Sequence, residues 1–224
     1  MNIQDVTLLM FDGGENVDQT VKTINHCAKL LPFGDVRCLL HKHPEIKPDC
    51  DWFIIPDMTY RGKNFFYGML GFLFNTSHML YCQNDGYILN PGLWRDEWLQ
   101  YDYVAPPWPK RFYFTQRQGV KDYQMGCGGF CLMSRKFCKA VSMLLTQFKP
   151  PDHENVDVWF CQTVRDKMEA LGVKFAPFDV GLSFGIEYPI EEFPDWRDSD
   201  SFGFHDVNMK HMPGEGAKRG RKYL

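Results

Sequence analysis

The residues able to do chemistry are few and lie far apart along the chain. Residues 79–87 read Met-Leu-Tyr-Cys-Gln-Asn-Asp-Gly-Tyr, a short apolar run that delivers the lone carboxylate of Asp85. A charge at the end of a buried strand must face solvent, a cation or a ligand, because burying it unpaired is costly. Ligands of open α/β sheets collect at the carboxyl ends of strands, although Asn-Asp-Gly is also good turn chemistry. Asp157 opens an expected helix after the loop Pro150-Pro151-Asp152-His153-Glu154-Asn155. An Asp there caps the helix, a role compatible with catalysis. His205 stands in Ser201-Phe202-Gly203-Phe204-His205-Asp206, and such a histidine is either a surface residue or a ligand.

Two further patterns bear on the reaction class. Gly126, Gly128 and Gly129 lack the spacing of a dinucleotide fingerprint and do not follow the first strand, and the chain holds no phosphate-loop motif. The glycines would let backbone approach a ligand, or make a tight bend. Ser183 sits in Gly-Leu-Ser-Phe-Gly, the spacing of a nucleophile elbow, but Gly185-Ile186-Glu187 reads as loop rather than elbow helix. A serine hydrolase is therefore set aside.

Patterning supplies the elements that must carry these residues. The spacing predicts strands over 6–11, 36–40, 52–55 and 79–82, with a helix over 17–31 that Pro32 and Gly34 end. This β-α-β-β opening implies a largely parallel sheet. Residues 63–75 read as helical, and 90–109 as a Pro- and Trp-rich stretch with little regular structure. Residues 126–130 read as a flexible elbow, 136–145 and 157–171 as helices, and 175–178 as a late strand.

A chain of 224 residues suits one sizeable α/β domain. The 16% aromatic content is high, and it points to a Phe-rich core with Tyr and Trp available to grip a ring. A net charge of −3 gives no global basic field for nucleic acid. The basic cluster Lys218, Arg219, Arg221 and Lys222 reads as a solvated tail or a phosphate contact. The eight cysteines form no zinc-type paired spacing; Cys38, Cys82 and Cys161 lie in apolar runs as small hydrophobes. The sequence begins without a secretory pattern and has no apolar run of membrane-span length. The expectation is a soluble cytoplasmic protein, in the host cytoplasm if the source is viral, with free thiols.

The order of these pieces resembles a glycosyltransferase-like family of bacterial and viral domains with the GT-A fold. Tyr81-Cys82-Gln83-Asn84-Asp85-Gly86 is similar to its Gln-x-Asp after a strand, and Trp98 to Trp108 to its Tyr-Asp-Tyr-x-x-x-Pro-Trp segment. Gly126-Cys127-Gly128-Gly129-Phe130 through Arg135 resembles a Gly-Asn-Gly-Gly-Phe segment, and Val156-Asp157-Val158-Trp159-Phe160 resembles Glu-Asp-Val-Tyr-Phe. The likeness covers roughly 60–205. It implies one GT-A-like α/β domain with a single Rossmann-type, mostly parallel sheet flanked by helices and a smaller mixed region. A nucleotide-binding half would span about 1–90, an acceptor half about 91–212 and a basic tail 213–224.

The resemblance further implies a metal-dependent, inverting glycosyltransferase using a nucleotide-sugar donor, with a uridine diphosphate sugar expected. Asp85 and His205 would hold Mn²⁺ or Mg²⁺, and Asp157 would be the general base. Phe11, Asp12, Gly13, Lys63, Gln83, Asn84, Gly128 and Gly129 would bind the donor; Trp108 and Asp102 would bind the acceptor, a glycan or a modified DNA base. Three residues depart from the family pattern: Gln83 replaces the first Asp of the metal motif, Cys127 the usual Asn, and Val156 the usual Glu. Two rival expectations follow, a glycosyltransferase acting on DNA bases and a domain that binds sugar or nucleotide without turnover.

Overall fold

The structure, a computed structural model, describes residues 3–12, 17–56, 67–109, 125–150, 154–188, 190 and 201–205. Strand β1 (Val6–Asp12) is buried along its whole length, as its unbroken apolar run requires. Helix α1 (Val17–Leu30) follows and buries Val17, Thr20, Val21, Ile24 and Cys27, one stripe at helical spacing. Strands β2 (Asp35–Leu40) and β3 (Asp51–Ile54) come next, then β4 (His78–Cys82), again wholly buried. Among the described residues the main sheet has six strands in the order β3-β2-β1-β4-β7-β6. The first four run parallel; β7 (Phe130–Ser134) is antiparallel to both β4 and β6 (Tyr103–Val104).

The second half is built from shorter pieces. Helix α2 (Arg135–Gln147) begins directly at the end of β7, where Ser134 Oγ accepts from the Phe137 N–H as an N-cap. A second sheet of three short strands has the order β5-β9-β8, with β5 (Tyr87–Ile88), β8 (Gly185–Ile186) and β9 (Gly203–Phe204). Aromatic rings join the two sheets: Phe130 of β7 lies 5.1 Å from Phe184, which lies 5.1 Å from Trp98, itself 5.3 Å from Phe202. Trp98, Trp108 and Trp159 are all buried. The aromatic excess therefore mainly builds core, as the Phe-rich reading has it.

Three expected elements need correction. The helical stretch expected over 63–75 is described only from 67, where a helical turn over 67–69 tightens into the 3-10 turn Leu70–Phe72 and stops. The helix expected over 157–171 is broken. A helical turn, α3 (Val156–Val158), passes into a π-helical turn over Trp159–Thr163, and α4 (Arg165–Ala170) follows. The late strand over 175–178 is absent: Phe175 makes a single bridge to Tyr103, and Pro177 caps helix α5 (Phe178–Phe184). Proline is well placed at a helix entry because its missing N–H would have no partner there.

Candidate active site at the carboxyl ends of the sheet

The site begins where β4 stops. After Cys82 the chain turns back, with the Gly86 N–H donating to Gln83 O at 3.1 Å. Two anchors fix this turn: the Gln83 N–H donates to Gly129 O at 2.8 Å, and Thr23 Oγ1 of α1 donates to Asn84 O at 3.1 Å. Asp85 is thus held at the mouth of the sheet beside the glycine elbow that leads into β7.

His205 arrives from the second sheet. Strands β8 and β9 are parallel neighbours, so the residue after each emerges at the same edge; these are Glu187 and His205. The His205 N–H donates to Ile186 O at 3.0 Å, and its Nδ1 pairs with Glu187 Oε1 at 2.9 Å. A carboxylate only accepts, so in the neutral ring Nδ1 carries the proton and Nε2 the lone pair. The other Glu187 oxygen, Oε2, accepts from Trp108 Nε1 at 2.9 Å. Trp108, Glu187 and His205 therefore form a buried relay that aims Nε2 at Asp85, whose Oδ1 lies 3.2 Å away. With the imidazole protonated the two form an ion pair; with it neutral, both buried atoms are left without a hydrogen-bond partner among the described residues. Two neighbouring ligands of one six-coordinate cation, each about 2.1 Å from it, stand about 3 Å apart. The orphaned pair therefore fits a divalent cation, with oxygen and imidazole donors suited to Mn²⁺.

The glycines make this approach possible. A Cβ on Gly129 would fall 1.9 Å from His205 Nε2, and one on Gly128 2.9 Å from Asp157 Cβ. The Gly128 N–H donates to Asp157 Oδ2 at 3.0 Å, and the Val158 N–H to Oδ1 at 2.9 Å. Asp157, at the first turn of the broken helix, thus shares the elbow with His205. Burial, with the charge of Glu187 behind it, raises its carboxyl above the ordinary value, while the two N–H bonds and His205 pull the other way. Burial also holds down the Asp85 charge, but His205 outweighs that and lowers its carboxyl. For His205, burial opposes the charged form, yet Cys127, Asp85 and Glu187 together raise the imidazole well above its usual value. Burial pushes the Cys127 thiol up to about 12.

The residues expected from the sequence divide accordingly. Asp85, His205 and Asp157 meet around the elbow, with Gln83 and Asn84 in the turn and Gly128 and Gly129 beneath the two acidic and imidazole groups. Asp12 ends β1 at the same end of the sheet, its carbonyl accepting from the His41 N–H at 3.1 Å. Phe11 differs from its expected role: it is buried and stacked on Tyr81 at 5.9 Å, so its ring is core. Gly13 and Lys63 lie outside the described residues. Trp108 is also buried, and it braces Glu187 instead of walling an acceptor. Asp102 is at the wrong end. It contacts Ser134 and Lys136 and accepts from the Lys174 N–H at 2.8 Å. Ser134 pairs with His78 at the opening of β4, whereas Phe130 pairs with Cys82 at its close. Burial opposes the charge of Asp102, but these partners lower its carboxyl; it is a structural clasp. Ser183 Oγ donates to Val180 O within α5, in agreement with setting the hydrolase aside.

Glu187 and Cys127 were missed as participants. Cys127 stood out only as a departure from the glycine segment. Glu187 lies eighteen residues before its partner His205 in a stretch without periodicity, and only the pairing of β8 with β9 joins them. Among the described residues no helix is long and apolar enough to cross a membrane.

Residues 63–205 match a family model described as "Protein of unknown function (DUF5672)". No curated protein sequence matches the chain. Among solved structures the chain is similar to a glycosyltransferase involved in the glycosylation of the major capsid of PBCV-1. The two share 9% identity with a TM-score of 0.55, over 97% of this chain and 98% of that one. It is also similar to the galactosyltransferase LgtC in complex with donor and acceptor sugar analogs, with 13% identity and TM-score 0.55 over 97% and 94% of the chains. The apo-form glycosyltransferase GlyE of Streptococcus pneumoniae TIGR4 matches at 8% identity and TM-score 0.56, over 97% of this chain and 59% of that one. The fold is that of the GT-A glycosyltransferases.

Proposed function

The chain belongs to the family described as protein of unknown function (DUF5672), and from that premise we propose that it is a GT-A glycosyltransferase. It moves a sugar from a nucleotide-sugar donor to an acceptor hydroxyl, with inversion and with a divalent cation. The observation that carries this reading is the pair Asp85 Oδ1 and His205 Nε2, two buried atoms 3.2 Å apart at the carboxyl ends of the sheet, neither of which has a further hydrogen-bond partner among the described residues. The carboxylate of Asp157 shares the same elbow.

In this reading Asp85 and His205 hold the cation. When bound, it neutralises charge that develops on the leaving diphosphate. Glu187 fixes the imidazole so that its free lone pair faces Asp85, and Trp108 holds Glu187 in turn. Asp157 accepts the proton of the acceptor hydroxyl as that oxygen attacks the anomeric carbon and the bond from carbon to phosphate oxygen breaks. Its raised value makes it a stronger base than a free carboxylate. The Gly128 and Val158 N–H groups fix its orientation and leave lone pairs for the hydroxyl. The donor lies against the ends of β1 and β4, by Asp12, Gln83 and Asn84, with Gly13 and Lys63 kept in that assignment from the sequence. The nucleotide-binding half over about 1–90 and the acceptor half over about 91–212 belong to the same proposal.

The test is direct. The full chain is incubated with Mn²⁺ and uridine, guanosine and thymidine diphosphate sugars in turn, and release of nucleoside diphosphate is measured. Release is expected with one donor class, the uridine compounds first. Asp157→Asn should lower it by about 10²-fold or more, the range of a general base, with donor affinity kept. Asp85→Ala should lose metal dependence and donor affinity together. Absence of both release and donor binding across the panel would overturn the reading. Binding without release would leave the non-catalytic alternative.

A further inference from the structure

We propose that Cys127, Glu187 and His205 form a second cation site, built for a thiophilic ion such as Zn²⁺ and sharing its imidazole with Asp85. One ligand atom from each residue lies within 4.8 Å of the other two. Cys127 and Glu187 are buried, and the His205 side chain is 14% exposed. Thiolate, carboxylate and imidazole together are the donors of a borderline-soft cation, and three of them leave a fourth position open. Thiolate and carboxylate also neutralise a dication, which suits a buried place. The partly exposed Asp85 side supplies the way in.

A second, independent observation concerns the backbone. Cys127 is the described non-glycine residue with positive φ, at 50°. It stands between two glycines that would adopt this conformation without cost. Tyr103 OH holds the bend by donating to the carbonyls of Gly126 and Cys127, both at 3.0 Å. A side chain kept at a strained position points to a use for that side chain, and the sulfur is what Cys127 adds to the elbow.

Glu187 lies against Nδ1, so a cation on Cys127 and Glu187 takes the lone pair there and the ring proton moves to Nε2. A neutral imidazole has one lone pair, so His205 serves one cation at a time. Zn²⁺ on Cys127 and Glu187 displaces a hard cation from Asp85. This competition rests on the proposed function; the thiophilic site itself does not.

The experiment uses the full, metal-free chain and Co²⁺ as a coloured substitute for Zn²⁺. A near-ultraviolet sulfur-to-cobalt band is expected, bleached by added Zn²⁺. Cys127→Ser should abolish the band and weaken Zn²⁺ binding by at least about a hundredfold, the upper end of what loss of mere support for a ligand does. Glu187→Gln should weaken binding but keep the band, and Cys50→Ser, at the partly exposed thiol, should change neither. Circular dichroism checks that each variant is folded, and the band in the parent chain stands without any variant. Cobalt bound without a sulfur band, or unchanged Zn²⁺ affinity in folded Cys127→Ser, overturns the site. Asp85→Ala should lose Mn²⁺ and keep the cobalt band. A band in the cobalt-loaded chain, beside no donor binding and no sugar transfer by a separate sample given Mn²⁺ alone, would sink the glycosyltransferase reading alone.

Discussion

His205 can reach Asp85 because Gly129 has no side chain. The Cβ of an alanine at 129 would fall 1.9 Å from Nε2 and 2.3 Å from Cδ2, so the ring must move, and its bond to Glu187 moves with it. Gly129→Ala should therefore weaken Mn²⁺ binding by an order of magnitude or more and cost about 1–3 kcal/mol of stability. Calorimetric titration and denaturant unfolding read the two effects. Gly92→Ala meets nothing within 4 Å, and it should leave both unchanged. Asp85 and Asp157 each follow a recognisable local pattern, a strand end and a helix start, whereas His205 reads as a lone loop histidine and takes a role only from the family resemblance. Glu187 was not legible. Its value comes from a hydrogen bond to a residue on another short strand, and two-residue strands such as β8 and β9 have no period to read. Trp108 and Asp102 misled for a different reason. Trp108 turns inward to Glu187 and Asp102 turns to the far end of the sheet, and spacing along the chain carries neither direction.

Among elements, β1 and β4 were readable within a residue because strands buried on both faces are continuous apolar runs; β2 and β3, partly and largely exposed toward the sheet edge, were readable as well from their short apolar runs. The helix carrying Asp157 was readable at its start but not at its break. The π-helical turn over Trp159–Thr163 puts Trp159, Phe160 and Cys161 all into the core, and no periodicity announces that. The junction of β7 and α2 is where Asp102 has its effect. It accepts from Ser134 Oγ at 2.6 Å while Ser134 caps α2, and it pairs with Lys136 at 2.7 Å. Asp102→Ala should cost about 1–3 kcal/mol, because it leaves a buried donor unpaired. Sugar transfer per folded molecule should be unchanged, as suits a residue remote from the site. The pH dependence has a definite sign. A carboxyl lowered in the folded state contributes stability above its unfolded value of about 3.9, and that contribution is lost as pH falls through the folded value. Urea unfolding of Asp102→Asn between neutral pH and the acid limb should show a flatter acid dependence than the parent chain. An equally steep loss in the variant would assign the acid sensitivity to the other lowered carboxyls, Asp5 through its bonds to Ser77 and Asp85 beside His205.

At the scale of the whole molecule, the site is a consequence of strand order. The turn after β4, the elbow before β7 and the ends of β8 and β9 are spread over more than a hundred positions of the chain, and they meet only because β7 runs back beside β4 and an aromatic cluster seals the small sheet onto it. A ligand that needs all of them must therefore stabilise the folded chain as a unit. A ligand bound only by the native state at a hundred times its dissociation constant adds about 2.7 kcal/mol, which for a chain of this length raises the melting temperature by about 5–10 °C. Mn²⁺ with uridine diphosphate should produce a rise of that order. Each alone should produce less, since the diphosphate and the side chains complete one coordination shell between them. Asp85→Ala should remove the rise given by the pair. Thermal melts with nucleoside diphosphates of several bases, each with and without Mn²⁺, make the measurement. A rise that needs neither Asp85 nor metal would move nucleotide binding away from the ends of β4 and β9. No rise with any nucleotide would leave this sheet end without a donor.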